Sequence, residues 1–312
     1  MLSVYTSLSH TQIESFLSAY HLAPLKSYSG ISAGIENTNY LLNTRQGDFV
    51  LTVYEHFNVD ELSPYLGLLV QLSEHENFYP FPLPDSQQEY IQRLAGKPAA
   101  LFRCLPGKSV LQSTQNQCQS VASALARFHL SSPSLEFRKK NPRNIEWMQQ
   151  AARQISPHLS LQDSILLEDE LNYQLKHTEQ HIAQGIIHAD LFKDNVLFVG
   201  DQLTGLLDFY AACCDYYLLD VAILLNDWCL DEQGVFERPL QDVFMQAYKQ
   251  LRKVTEQEEQ CLPLLLRRAC LRFWLSRLKH KLYPRVGEIT QEKDPELFKK
   301  LLLQHRQFYA VK

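Results

Sequence analysis

The chain has 312 residues and a formal net charge of −5, with 45% hydrophobic and 21% charged residues. This length allows one large domain or two of ordinary size, and the composition is typical of a globular protein. The acidic balance, without a long basic run, argues against a nucleic-acid partner, and no apolar run is long enough to predict a membrane span.

The seven cysteines are scattered, odd in number and never arranged as C-x-x-C. We therefore expect reduced thiols in a cytoplasmic protein, and no zinc site. Residues 1–10 contain neither a basic leader nor an apolar segment, so the sequence predicts no signal peptide.

The first part of the chain predicts a short helix and then mainly strands. Residues 9–20 place apolar side chains at helical spacing, and residues 25–42 predict two strands joined by a turn of small residues. Residues 49–54, rich in β-branched and aromatic side chains, predict a third strand. The small residues of the turn would let backbone N–H groups approach phosphate oxygens, although an ordinary hairpin has the same pattern.

A break at Leu105-Pro106-Gly107 predicts a boundary between two domains. Before it, residues 60–73 predict a helix, and residues 89–94 and 98–105 predict paired strands. We therefore expect one domain over residues 1–106 and a second over residues 107–312.

The second domain is predicted to be mainly helical. Gly185 is expected to end one helix and to introduce a short strand at Ile186-Ile187. Pro263 is expected to delay or kink another helix. The predicted helices cover residues 113–129, 144–155, 161–182, 218–230, 240–253, 257–283 and 295–308.

The stretch from Ile187 to Phe198 carries the clearest functional signal. It reads H-x-D-x-x-x-x-N, with His188, Asp190 and Asn195, and an apolar segment ending at Asp208 follows it. This spacing is typical of the catalytic loop and metal-binding aspartate of kinase-like phosphotransferases. We expect Asp190 to act as the catalytic base, Asn195 and Asp208 to bind Mg²⁺, and His188 to orient the catalytic loop as a packed histidine.

Residues 196–207 predict a β-hairpin with its turn at Gly200-Asp201. Such a hairpin would carry Asn195 at its entry and Asp208 at its exit. Both oxygen ligands would then lie at one end of the hairpin, as a shared metal site requires.

These motifs resemble bacterial homoserine kinases of the aminoglycoside-phosphotransferase-like type, and the resemblance runs over essentially the whole chain. It implies an α+β, bilobal, protein-kinase-like fold with a β-rich N-lobe and a mainly helical C-lobe. It also implies ATP-dependent phosphorylation of the side-chain hydroxyl of L-homoserine, a step towards threonine. The segments that carry it are residues 34–40, 50–52, 188–195, 207–210, 226–229 and 271–278.

The kinase-like interpretation places the nucleotide on residues 1–106. Ser32 and Gly34 would lie over the ATP phosphates, and backbone groups near Cys104 and Leu105 would contact the adenine edge. The lysine that ends the third strand of protein kinases is replaced here by Thr52. Thr52 offers one hydrogen bond and no charge, so the anchor of the α- and β-phosphates stays unassigned.

A pocket for the homoserine zwitterion needs a cation for the carboxylate and an acceptor for the ammonium. Asp227 is the candidate acceptor for the ammonium, and Arg272 or Arg277 is the candidate cation for the carboxylate. Asn37 is a weaker candidate for the substrate site. The same sequence pattern would also result if the carboxylate lay on a helix surface and the arginines only supported the fold.

Two other functions stay open at this point. A kinase-like phosphotransferase could act on another small acceptor, such as choline or an aminoglycoside. A non-catalytic ATP-binding protein is the other alternative, although Asp190, Asn195 and Asp208 are all present. The sequence indicates neither the oligomeric state nor the selectivity between homoserine and its close analogues.

Overall fold

The structure is a computed structural model that describes residues 5–22, 24–31, 37–177, 182–284 and 293–309. The chain divides into two compact units, the first ending at Pro106 and the second beginning at Gly107. None of the described helices is both long enough and apolar enough to span a membrane.

The first unit is built on an antiparallel sheet in the order β1-β2-β3-β5-β4. Two helices accompany the sheet, and each begins with a capping box, Ser9 with Gln12 and Asn58 with Glu61. The elements are α1 (His10–Ser18), β1 (Leu25–Ile31), β2 (Thr38–Thr44), β3 (Gly47–Val53), α2 (Val59–Ser73), β4 (Gln92–Leu94) and β5 (Lys97–Arg103).

Alternation along the strands gives this sheet two different faces. Tyr40 and Leu42 of β2 point into a core that α1 also enters through Ile13 and Leu17. The residues between them, such as Asn39, are half-buried and belong to the opposite face. The first unit therefore has one packed face and one face that is only partly covered.

The second unit is mainly helical and contains two small antiparallel sheets, β6 with β9 and β7 with β8. Its centre is formed by α6, which is buried over nearly its whole length, and by the middle of α8, where the buried side chains are concentrated. The elements are α3 (Gln115–Ser131), α4 (Ile145–Ile155), α5 (Leu161–Lys176), β6 (Gln184–Ile187), β7 (Val196–Val199), β8 (Gln202–Leu206), β9 (Cys213–Tyr216), α6 (Tyr217–Trp228), α7 (Arg238–Leu251), α8 (Glu256–Leu282) and α9 (Glu296–Tyr309).

Gly107 is a position where the second unit requires a glycine. Its φ is +108°, and a Cβ atom there would lie 2.6 Å from both the Phe198 carbonyl oxygen and the Thr204 hydroxyl. The next residue, Lys108, exchanges backbone hydrogen bonds with Phe198 at 3.0 and 2.9 Å. The start of the second unit is thus fixed directly to the β7–β8 hairpin.

Two local predictions were wrong, and the structure departs from the sequence pattern at two further points. The helix predicted to reach residue 182 ends at Lys176, and Gly185 lies inside β6, where a Cβ would overlap the Tyr217 hydroxyl. Pro263 does not delay α8, which begins at Glu256 and contains the proline within its length. Strand β9 was not predicted, because four residues give too short a pattern to recognise.

Candidate active site

The predicted catalytic loop, residues 188–195, connects β6 to β7 and closes on itself through hydrogen bonds to its own backbone carbonyls. The Asp190 carbonyl oxygen accepts the Phe192 N–H at 2.9 Å and the Asn195 side-chain amide at 2.8 Å. The Asn195 carbonyl then accepts the Leu207 N–H at 2.8 Å, at the far end of the hairpin. The predicted hairpin therefore brings Asn195 close to the segment that carries Asp208.

His188 is fully buried and uses both ring nitrogens. Its Nε2 donates to the Leu207 carbonyl at 2.8 Å, so its Nδ1 is the acceptor for the Asp190 N–H at 3.3 Å. Burial lowers the pKa of His188, although the charge of Asp220 acts to raise it. The lowered pKa keeps the ring neutral. A neutral ring with both nitrogens engaged orients Asp190 and Leu207 rather than transferring protons.

Asp220, at the start of α6, holds the catalytic loop by its backbone. Its Oδ2 accepts the N–H of His188 at 2.7 Å and its Oδ1 accepts the N–H of Ala189 at 2.8 Å. Burial opposes ionisation of this carboxyl, but the hydrogen bonds from His129 and His188 outweigh it and hold the pKa of Asp220 below its usual range. A buried anion thus fixes the residues immediately before Asp190.

The same carboxylate is tied to α3 and α7. His129 of α3 donates its Nε2–H to Asp220 at 3.1 Å and accepts the Tyr248 hydroxyl at 2.7 Å. Beyond Tyr248, the Arg252 guanidinium lies over the tyrosine ring and pairs with Glu258 at 2.7 Å. The catalytic loop is therefore connected to the helical core by an almost fully hydrogen-bonded buried network.

Asp190 is half-buried, and its carboxyl is electrostatically unusual. Burial, and then the charge of Asp208, raise the pKa of Asp190 to about 8, while Arg272 and Lys293 act in the opposite direction. A carboxyl whose pKa lies near neutrality is suited to accept a proton from a hydroxyl group. A cation bound near Asp208 would lower this pKa and favour the ionised base.

Two residues of the site have left-handed backbone conformations. Ala189 has φ 66° and Asp208 has φ 61°, values that side chains other than glycine seldom adopt. Ala189 is held there by its hydrogen bond to Asp220. Local strain of this kind collects at functional sites, because the surrounding structure must enforce it.

The oxygen atoms at the end of the hairpin fit a hard divalent cation. The Asn195 amide nitrogen is bonded to Asp190, which leaves the side-chain carbonyl oxygen as a ligand, and Asp208 is exposed. Within the described ranges, no cluster of three or more His, Cys, Asp or Glu side chains could hold a metal. Mg²⁺ commonly takes only one or two protein oxygens and completes its shell with phosphate and water, so this donor set fits it.

Asp227 is the next-to-last residue of α6 and also contacts the catalytic loop. Its Oδ2 accepts the Lys193 N–H at 2.7 Å. Burial raises the pKa of Asp227, and the charge of Lys193 opposes this shift. Asp227 therefore positions the loop with one oxygen and presents the other without a partner among the described residues.

The two candidate arginines differ in their environments. Arg277 donates Nη1–H to the Asp294 carbonyl at 2.7 Å, and its guanidinium lies 4.4 Å from the Phe298 ring centre. Arg272 is buried, with its guanidinium 4.6 Å from the Phe273 ring centre. The Nη1 of Arg272 has no hydrogen-bond partner in the described part of the chain.

In the first unit, Thr52 and Asn39 are directly paired on β3 and β2, on the half-covered face of the sheet. The Thr52 hydroxyl donates to the Asn39 Oδ1 at 2.8 Å, so its only proton is committed. The Asn39 amide NH₂ has no partner among the residues the structure describes. Asn39, rather than Thr52, is therefore the donor that this pair can offer to a ligand.

The remaining candidates lie elsewhere in the first unit or outside the description. Ser32 and Gly34 fall outside the described residues. The Cys104 N–H is bonded to the Asp48 carbonyl at 3.1 Å, and the Leu105 carbonyl accepts the Cys104 thiol at 3.7 Å. Asn37 is buried immediately before β2, in a different unit from Asp227, Arg272 and Arg277.

Sequence reasoning missed Asp220, His129 and the role of Asn39. Asp220 could have been found, because it is the one charged residue in the apolar run 217–225. His129 gave no comparable signal, since a histidine near a helix end is common. Asn39 could be assigned only after its pairing with Thr52 was known.

Known proteins resemble this chain in family and in fold. A model of the phosphotransferase enzyme family matches residues 27–255. Homoserine kinase of Methylobacillus flagellatus is 37% identical over 96% of this chain and 94% of its own length. Homoserine kinase of Neisseria meningitidis serogroup B is 38% identical over 97% of this chain and 99% of its own.

Solved structures with low sequence identity share the fold. An amicoumacin kinase in complex with AMP-PNP and Ca²⁺ has a TM-score of 0.70 at 14% identity, covering 96% of this chain and 92% of its own. A spectinomycin phosphotransferase in complex with ADP and spectinomycin has a TM-score of 0.73 at 12% identity, covering 97% and 100%. The predicted α+β, protein-kinase-like fold is thus confirmed. The chain belongs to the phosphotransferase enzyme family and, within it, to the homoserine kinases.

Proposed function

We propose that this protein transfers the γ-phosphoryl group of ATP to the side-chain hydroxyl of L-homoserine, giving O-phospho-L-homoserine for threonine synthesis. The observation that carries the proposal is the Asp190 carboxylate in a loop fixed by Asp220, in a chain 37% identical to a homoserine kinase over nearly its full length. The expected cytoplasmic location is part of this proposal.

Asp190 is the proposed base. It accepts the proton of the substrate hydroxyl as the oxygen attacks phosphorus, and the β–γ bridging oxygen leaves with ADP. His188 donates to Leu207 and accepts from the Asp190 N–H, so it orients this carboxylate without changing its own protonation. The buried Asp220 keeps the loop in one conformation, so that the base is already placed when the substrate binds.

Asn195 and Asp208 are the proposed protein ligands of a divalent cation, and Mg²⁺ is the proposed ion. A bound Mg²⁺ supplies charge neutralisation on the ATP phosphates. The Asn195 side-chain amide is oriented for this role by its hydrogen bond to the Asp190 carbonyl. This hydrogen bond therefore joins the side chain of the proposed metal ligand to the backbone of the proposed base.

The first unit is proposed to bind the nucleotide, with the adenine edge at the Cys104 and Leu105 backbone and the phosphates near Ser32 and Gly34. Asn39 is the proposed side-chain donor to a phosphate oxygen, since the single hydroxyl proton of Thr52 is already donated to Asn39 Oδ1. Backbone N–H groups and Mg²⁺ then take the place of the lysine that protein kinases use.

In the second unit, the free oxygen of Asp227 is the proposed acceptor for the substrate ammonium group. The carboxylate requires a cation, for which Arg272 and Arg277 are both available on α8. Asn37 is retained only as a weaker candidate in the first unit. These assignments predict a pocket that selects for a zwitterion rather than for a quaternary ammonium group or an aminoglycoside.

The test is ADP release with Mg·ATP and, separately, L-homoserine, L-serine, choline and kanamycin. We expect turnover that is selective for L-homoserine, with L-serine poorer by about 10- to 200-fold because it lacks one methylene group. Selective turnover of choline or kanamycin would overturn the proposed substrate and keep the phosphotransferase chemistry. ATP binding without turnover on any of the four would favour the non-catalytic alternative.

The proposed roles are tested by Asp190→Asn and Asp208→Ala in the same assay. Asp190→Asn should lower kcat by about 10²- to 10⁴-fold, as expected for loss of a general base. Asp208→Ala should remove Mg²⁺-dependent turnover while the circular dichroism spectrum stays unchanged. Near-normal turnover of either variant would remove that residue from its role.

A further inference from the structure

We infer that Arg272, and not Arg277, binds the α-carboxylate of the amino-acid substrate. This inference rests on the proposed function and deepens it, because it names the residue that separates amino acids from amino alcohols.

Arg272 is a buried cation without an anionic partner in the part of the chain that the structure describes. Only 5% of its surface is exposed, and no carboxylate lies within 4.0 Å of it among the described residues. Its buried Nη1 makes no hydrogen bond in that part of the chain. Isolating a guanidinium from water without an anion is unfavourable, so a residue of this kind is expected to have a ligand.

The comparison with other buried arginines of the second unit makes this clear. Arg267 pairs with Glu170 at 2.6 Å and Arg252 pairs with Glu258 at 2.7 Å. Arg252 also has an unpaired Nη1, but a carboxylate meets its charge. Arg272 differs because, among the described residues, it has neither a carboxylate partner for its charge nor a hydrogen-bond acceptor for its Nη1.

The position of Arg272 relative to the catalytic loop fits the substrate. Its charge acts on Asp190, the proposed base, and on Cys213, which is paired with Ile187 at the entry to the loop. In homoserine a short three-carbon chain separates the carboxyl carbon from the hydroxyl oxygen. A cation whose charge acts on Asp190 can therefore hold the carboxylate while the hydroxyl reaches the base.

The two other cations that act on Asp190 already have partners. Arg277 donates to the Asp294 carbonyl at 2.7 Å, and Lys293 pairs with Asp194 at 2.9 Å. A substrate carboxylate at either cation would share it with these existing partners. Arg272 has no competing polar partner among the described residues, so its charge is fully available to an anion.

The alternative is that Arg272 only supports the fold, through its contact with the Phe273 ring. A structural arginine would affect all substrates equally. A carboxylate-binding arginine would affect only substrates that carry the carboxylate. The two roles can thus be separated by a substrate that lacks this one group.

The experiment compares L-homoserine with 3-amino-1-propanol, which has the same amino and hydroxyl groups on the same chain but no carboxylate. Arg272→Met should lower kcat/KM for L-homoserine by about 10²- to 10⁴-fold, because the carboxylate loses its charged donor. Turnover of 3-amino-1-propanol should change by less than about threefold. The inhibition constant of 3-amino-1-propanol against L-homoserine supplies the same comparison if its turnover is too slow.

Arg277→Met, on the same helix, tests the rival assignment and should leave the ratio of kcat/KM between the two compounds unchanged, whereas a selective loss on L-homoserine in this variant would overturn the inference. Arg272→Lys keeps the charge and should recover part of the L-homoserine activity, and it serves as the second variant if Arg272→Met does not fold. An equal loss on both compounds, or an unchanged preference for L-homoserine, would overturn the inference. If the native protein itself fails to phosphorylate L-homoserine, the proposed function fails instead, which is a distinct result.

Discussion

The backbone N–H of His188 donates to the Asp220 carboxylate at 2.7 Å, across 32 residues of sequence. The second Asp220 oxygen takes the N–H of Ala189 at 2.8 Å, and Ala189 has a left-handed conformation. The conformation of the residue before Asp190 is therefore set by a carboxylate on another element. Catalytic competence should depend on this carboxylate although it does not touch the substrate.

Asp220→Asn tests this dependence. An asparagine has one acceptor oxygen, and its NH₂ group would face one of the two backbone N–H donors. We expect kcat to fall by about 10- to 100-fold, because small displacements of a base reduce its effectiveness. The Kd for ATP should be almost unchanged.

The matched control is Asp215→Asn on β9, whose carboxylate bonds Asn141 at 2.7 Å and does not touch the catalytic loop. That variant should keep its kcat. Unchanged kcat in Asp220→Asn would show that the loop holds its conformation without the buried anion.

A second prediction concerns the stability cost of the base. The pKa of Asp190 is about 8 in the folded chain, mainly because the carboxyl is buried, and 3.8 in the unfolded reference. The folded state therefore binds the Asp190 proton more tightly than the unfolded state does. The protonated carboxyl contributes to the free energy of unfolding below pH 3.8, and this contribution is lost as the pH rises through about 8. Asp190→Asn removes this loss while keeping the shape of the side chain.

Without metal and nucleotide, Asp190→Asn should raise Tm at pH 8.5 by about 4–10 °C, which corresponds to about 2–3 kcal/mol after allowing for the partial exposure of the carboxyl. At pH 5 the gain should be much smaller. Asp242→Asn, an exposed carboxylate on α7, is the control and should leave both values unchanged. Equal Tm values for native protein and Asp190→Asn at pH 8.5 would contradict the raised pKa.

The sequence predicted the local part of the site, and the structure supplies the part that depends on distant contacts. The H-x-D-x-x-x-x-N spacing and the apolar hairpin are local patterns, so Asp190 and Asn195 could be proposed as site residues before the fold was known. The His129 contact with Asp220 joins residues 91 apart, and no local pattern encodes such a pair. Strand β9 was missed for the same reason, because it forms by pairing with the distant strand β6. This pairing is also what places Gly185 in a strand.

Thr52 shows a different limit. Its position on the third strand was predicted from the pattern, but the use of its single proton was not. Only the register between β2 and β3 shows that Asn39 is opposite Thr52 and receives its hydroxyl. The chemistry of a site thus requires the partner of each donor, in addition to its place on a strand.

Acid sensitivity is expected from His305, which is buried and donates its Nε2–H to Asn226 Oδ1 at 2.7 Å. Burial, followed by the charge of Arg267, lowers the pKa of His305 to about 3 from the unfolded value of 6.5. The stability it contributes is complete above pH 6.5 and is lost as the pH falls towards about 3. At pH 5 the loss should be about 2 kcal/mol.

Denaturant unfolding at pH 7.5 and pH 5 measures this loss. His305→Gln should reduce the difference between the two pH values by about 2 kcal/mol, since glutamine does not titrate. His158→Gln, an exposed histidine, should leave the difference unchanged. A difference that is the same in His305→Gln and the native protein would assign the acid sensitivity to other groups.

The last prediction concerns the donor that replaces the missing lysine. The Thr52 hydroxyl fixes Asn39 Oδ1 at 2.8 Å and so orients the free NH₂ group of Asn39 on the half-covered face of the sheet. A hydrogen bond to a charged phosphate oxygen contributes about 1.5–3 kcal/mol. Asn39→Leu should therefore weaken Mg·ATP binding, measured by calorimetry, by about 10- to 100-fold.

Thr52→Val keeps the shape of Thr52 and removes the orienting hydroxyl, so it should weaken Mg·ATP binding by a smaller factor, while Thr52→Ser should bind normally. Asn43→Leu is the matched control, because Asn43 is on the same strand and the same face but bonds Asp48 at 2.6 Å. Its Kd for Mg·ATP should equal that of the native protein. A native Kd in Asn39→Leu would leave the phosphates to backbone N–H groups and the cation, whereas equal losses in Asn39→Leu and Asn43→Leu would indicate a general disturbance of β2 rather than a missing donor.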